Sequence, residues 1–167
     1  MGKFHDLIDR AQRYKGALHS FFLDLTSWKK FDAGMTLNWQ RVKFGPGTRN
    51  DVPEERGIYA FTLEVGANNL PSHGYIMYVG ITGNKSSANL RGRYSQYLRN
   101  LTNEDGRPKV CYMLLNWRDD LIFNFVPIPD KAVDLLAIER SFINSVMPPV
   151  NSADFEADIA APKKAAF

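Results

Sequence analysis

Between Lys131 and Val146 apolar residues recur at helical spacing, and Pro148 and Pro149 follow almost at once. On a wheel of about 100° per residue, Ala132, Leu135, Leu136, Ile138, Phe142, Ile143 and Val146 share one face. Such a stripe must be buried against another layer, and the proline pair stops the helix. Glu139 falls near the centre of the stripe, between Leu135 and Ile143. An ionised carboxylate there needs an arginine, a hydrogen-bond donor or a metal ion, unless it reaches the rim of the core.

Strands supply the surface for that helix. The segments GIYAFTL (57–63), YIMYVGI (75–81) and LIFNFVPI (121–128) are rich in β-branched and aromatic residues. The stretch EVGANNLPSHG joins the first two with the Gly, Asn and Pro of a hairpin connection, too long for a tight turn. Pro127 and Pro129 predict that the third strand ends there or lies at an edge. A loop, TGNKSSAN, leads into a helix at roughly 88–101, and a further helix is expected over 108–117. The amino terminus predicts a short amphipathic helix over 3–18, with Phe4, Leu7, Ile8 and Ala11 on one face. GPGTRN at 45–50 reads as a turn or loop. The predicted fold is one α/β domain of the α+β type, a small three-stranded sheet flanked by helices. Residues 1–50 are expected to form a basic, aromatic extension packed on a core of 51–155, with 156–167 a short tail.

The 167-residue chain is 44% hydrophobic and 13% aromatic, a globular composition that argues against a mostly disordered chain. Its apolar runs fall far short of the roughly 20 residues that span a bilayer, and MGKFHDLIDR lacks the apolar stretch of a signal peptide. Cys111 is the single cysteine, so neither an internal disulfide nor a cysteine-based zinc site is available. These features predict a cytoplasmic protein with no membrane partner. Residues 1–50 hold nine Lys or Arg against four Asp or Glu, while 108–167 hold six against eight. A basic amino-terminal third suits a phosphate backbone, or is an ordinary solvated surface.

On the helix at 88–101, Leu90, Tyr94, Tyr97, Leu98 and Leu101 form the apolar face, with Arg93 at one edge and Arg91 near the other. An arginine on such a border, held by packing, presents a planar fork to a phosphate. The first two strands each pair a tyrosine with a glycine, in Gly57-Ile58-Tyr59 and Tyr78-Val79-Gly80. Two phenols, an arginine and a carboxylate suffice chemically for phosphodiester hydrolysis: the carboxylate fixes a divalent metal, the arginine offsets phosphate charge, and a phenol orients or deprotonates water.

Four pieces in order, GIY at 57–59, YVG at 78–80, LRGRYSQYL at 90–98 and AIERSFINSVMPPVN at 137–151, resemble the GIY-YIG nuclease family over roughly residues 55–152. The resemblance implies a small, mainly antiparallel three-stranded sheet flanked by helices. It implies that Tyr59 handles the attacking water and that Tyr78 lines the same site. Arg93 would bind phosphate, Tyr97 would stand where the family has His or Tyr, and Asn151 would support the site by hydrogen bonds. Glu139 would bind one Mg²⁺ or Mn²⁺. The implied activity is metal-dependent endonucleolytic cleavage of DNA, with RNA and the oligomeric state left open. The alternative is a nucleic-acid-binding or scaffold protein on the same fold. The chain departs from the family pattern in the eighteen residues between Tyr59 and Tyr78 and in an enlarged loop from Ile81 to Asn89. It also has Thr82 and Gly83 where a basic residue often follows the second motif, a place Lys85 is the candidate to fill.

Overall fold

A computed structural model describes residues 3–17, 19–65 and 71–151. The sheet has four strands, all antiparallel, in the order β1-β4-β2-β3: β1 (Gln40–Lys43), β2 (Gly57–Val65), β3 (His73–Thr82) and β4 (Leu121–Pro127). The expected three strands are therefore corrected to four. The added strand, QRVK, turns only Val42 partly inward and leaves its other residues exposed, so it carries no apolar alternation to read. β4 ends at Pro127 but lies inside the sheet, between β1 and β2. β2 and β3 run longer than expected, to Val65 and from His73, so the polar connection is shorter than 64–74 suggests, and its tip lies outside the described residues.

The helices are α1 (Lys3–Ala17), α2 (Leu25–Trp28), α3 (Leu90–Asn103), α4 (Pro108–Trp117) and α5 (Leu135–Val146). α5 starts four residues later than its periodicity suggests. Asp130 Oδ1 accepts from the Ala132 N–H and closes a turn, and Asp134 caps the helix through Leu136 N–H at 3.0 Å. Within GPGTRN, read as a turn or loop over 45–50, the chain forms a 3-10 turn at Pro46–Asp51. It is held by Tyr94, whose hydroxyl donates to Gly45 O and accepts from Gly45 N–H, both at 2.8 Å. Among the described residues no helix is long and apolar enough to cross a membrane.

The sheet separates two apolar layers. Tyr59, Phe61, Phe123 and Phe125 face α3 and α4, meeting Leu90, Tyr94, Met113 and Leu114. Ile58, Ala60, Val79 and Val126 face α5, meeting Leu135, Ile138, Phe142 and Ile143. The alternation along each strand thus feeds both faces, which is why their sequences are nearly continuous apolar runs. The amino-terminal segment packs on both layers: Phe21 on the first, and Trp28, Phe31 and Leu37 on the second, where Phe31 stacks on Phe142 at 4.7 Å. α1, by contrast, leaves Leu7, Ile8 and Tyr14 exposed.

Two close approaches join these layers. At Gly57, a Cβ would sit 2.1 Å from the Val126 carbonyl oxygen and 3.2 Å from Leu90 Cδ1. After α5 the chain returns along the outer side of β3, where Val150 N–H donates to Met77 O. Asn151, 1% exposed, accepts from Val79 N–H and donates to Val79 O, both at 2.8 Å. We expect Gly57→Ala to lower stability by about 1–3 kcal/mol in urea titrations, because the clash is with a ladder carbonyl that cannot rotate aside.

Candidate functional site

The site is built around a phenol laid across a bare backbone. Tyr59 pairs with Gly80 in the β2–β3 ladder, and a Cβ at position 80 would fall 2.4 Å from Tyr59 Oη and 2.6 Å from Cζ. The missing side chain of Gly80 is what lets the ring lie over the edge strand. Beneath it Phe123 stacks at 5.3 Å between centroids. Above it α3 brings Tyr97, whose hydroxyl is hydrogen-bonded to that of Tyr59 at 2.8 Å. Tyr78 completes a three-phenol cluster, its ring 6.3 Å from Tyr59 and 6.4 Å from Tyr97.

β3 carries an irregularity directly before Tyr78. Phe61 pairs with Tyr78 and Thr62 with Ile76, so Met77 is an unpaired bulge residue. Tyr78 and Met77 both join the layer under α3 and α4 as a result, although neighbours in a regular strand point to opposite faces. Nothing in the YIMYVGI pattern signals this extra residue.

The two arginines of LRGR have separate tasks. Arg91 is engaged with the loop before β2: Nε donates to Val52 O at 2.7 Å, one terminal nitrogen meets Glu54 at 2.5 Å and the other donates to Asn50 O. The same loop satisfies the start of α3, with Leu90 N–H donating to Glu55 O and Arg91 N–H to Pro53 O. Arg93 is half-buried, and its guanidinium donates to Gln96 Oε1 at 2.7 Å. Glu139, on α5, is also half-buried, at the rim of its apolar face and not under it. Both lie close enough to Tyr59 to act on its hydroxyl through charge, Arg93 favouring the phenolate and Glu139 opposing it. Tyr59, Tyr78, Tyr97, Arg93 and Glu139 thus share one neighbourhood, contributed by β2, β3, α3 and α5.

Burial dominates the chemistry of the central phenols. It pushes Tyr59 far above the ordinary tyrosine range, with Tyr78 adding to the effect. Tyr97 is raised for the same first reason, then by its neighbours Tyr59 and Tyr78. Both hydroxyls therefore remain protonated at neutral pH and act as hydrogen-bonding groups, not as phenolate bases.

Arg56 is a structural residue that the sequence does not announce. From the position just before β2 it donates to Gly83 O, Asp130 O and Val133 O, tying the loops after β3 and β4 together. Lys85 is exposed on the first of those loops. Asn89 caps α3, accepting from Gly92 N–H at 2.7 Å. Among the described residues no three His, Cys, Asp or Glu side chains gather in a metal-ligand group. Comparison of the chain with protein-family models, curated proteins and solved structures gave no match.

The raised tyrosines fix a pH response. A phenol whose folded pKa exceeds its unfolded value stabilises the fold below about pH 10, and that contribution is lost as pH climbs above it. Ultraviolet titration should show two of the seven tyrosines ionising only as the fold is lost, and Tyr59→Phe should make stability fall less steeply above pH 10.

Proposed function

We propose that the chain is a GIY-YIG-like endonuclease that hydrolyses phosphodiester bonds in DNA with the help of one divalent cation. The observation that carries this reading is the hydroxyl pair of Tyr59 and Tyr97 beside Tyr78, with Arg93 and Glu139 near enough for their charges to act on Tyr59.

Glu139 fits Mg²⁺ or Mn²⁺ by its chemistry. Mg²⁺ keeps several waters and takes one or two carboxylates plus phosphate oxygens, so a single Glu at the rim of the core is an adequate protein ligand. When bound, the cation would supply Lewis-acid stabilisation of the phosphoryl oxygens. The chain's own groups perform the rest. Arg93, with Gln96 holding one of its donors, presents its remaining N–H groups to a phosphate and offsets the charge that builds in the transition state. Tyr59 and Tyr97 share a hydrogen bond in which one hydroxyl donates and the other accepts. The pair retains an O–H and lone pairs with which to align an attacking water. Phe123 and the bare face of Gly80 keep the Tyr59 ring from rotating out of line.

Plasmid nicking in Mg²⁺, assayed with circular dichroism on the same samples, tests this. Glu139→Ala should lower cleavage at least about 100-fold while leaving substantial DNA binding, because phosphate contacts elsewhere supply most affinity. Arg93→Lys should also impair cleavage, since an ammonium cannot reproduce the planar two-point contact. Full specific activity in folded Glu139→Ala protein would remove the basis for the mechanism.

A further inference from the structure

A second concave site lies on the same face of the sheet. Its floor is Leu63 of β2 and Met77 of β3, and its walls are Phe21, Tyr75, Tyr112 and Trp117, enclosing about 640 Å³. Arg13, His19 and Asn116 stand among the lining residues and give the site polar groups. Much of the aromatic surface is open: Tyr75 is 43% and Tyr112 45% exposed, unlike the buried phenols around Tyr59. The rings brace one another. Phe21 stacks on Tyr75 at 4.4 Å, and Trp117 meets His19 and Tyr112 edge-on at 4.9 and 5.7 Å. Tyr112 also donates to Gly16 O, joining α4 to α1.

The site neighbours the phenol cluster along β3. Tyr75 stands three residues before Tyr78 on β3, about 10 Å along the strand, and the bulge residue Met77 lies between them as part of the floor. A planar heterocycle with a polar edge meets both halves of such a lining, its face on the rings and its edge on Arg13, His19 and Asn116. The basic balance of residues 1–50, nine against four, favours a ligand that brings phosphates with it.

We propose that this pocket seats an unpaired base of the nucleic-acid strand whose phosphodiester reaches Arg93 and Glu139, so that the favoured substrate carries a single-stranded segment. The inference rests on the nuclease reading above.

Fluorescence anisotropy in EDTA tests the pocket apart from catalysis, using a labelled oligodeoxythymidylate and an abasic strand of equal length and charge. The full-length wild-type protein should bind the thymidylate strand more tightly. Tyr75→Ala should lower that affinity roughly 5- to 100-fold and leave the abasic strand unaffected, while Tyr75→Phe restores binding. Equal affinity for both strands by the wild-type protein, which needs no variant, overturns the base pocket. If such a protein still nicks plasmid in Mg²⁺, the nuclease reading stands without it. Base-dependent binding with no cleavage in Mg²⁺ or Mn²⁺ supports the pocket and overturns the nuclease. Absence of binding to either strand overturns the pocket, and cleavage again decides the nuclease separately.

Discussion

The arrangement depends on one short contact, the Tyr59 phenol lying over the backbone of Gly80. A ring in that position cannot sit beside any Cβ on the neighbouring strand, so β3 must give up a side chain directly opposite it. Once the ring is there, its hydroxyl is carried over the edge strand, where α3 reaches it. Tyr97 then descends from α3 to meet the hydroxyl, and Phe123 fills the space below. The glycine in the second motif is thus the space the tyrosine of the first motif occupies.

That placement explains why the charged groups come from helices and not from strands. The strands are fully occupied in packing two layers, and their alternation leaves no room for an ionised group beside Tyr59. Helix borders do have room, because a long side chain there buries its stem and keeps its head in contact with water. Arg93 and Glu139 both use such borders, one on each side of the sheet's edge. Arg91, two residues from Arg93, is held by carbonyls and Glu54 and secures α3 instead. Identical chemistry at neighbouring positions therefore serves opposite ends, decided by which face of the helix meets the loop.

Much of this was legible in the residue order. The apolar runs located β2, β3 and β4, and helical spacing located α3 and α5, though Glu139, read at the centre of the α5 stripe, lies at its rim. Other features left no local trace. β1 is four residues long with one partly inward side chain, so its pairing with β4 comes from the sheet's need for a partner and not from its own pattern. The bulge at Met77 depends on register with β2, a property of two strands that neither encodes alone. Arg56 is read as a charged residue before a strand, and only the folded loops bring three carbonyls to it. The depth of burial that keeps Tyr59 and Tyr97 protonated also belongs to the packed structure, since a tyrosine on a strand is compatible with either a wet or a dry surface.

The return of the chain along β3 has a consequence beyond the site. Edge strands offer unpaired N–H and C=O groups on which strands from other molecules grow, and β3 is an edge. Across Met77–Val79 those groups are already taken: the Asn151 amide imitates a strand residue by giving to and receiving from Val79, and Val150 occupies Met77 O. One side chain and one backbone N–H thereby occupy this part of the sheet's rim without lengthening the sheet by a strand. The segment after α5 is in this way a guard against self-association through that part of the edge.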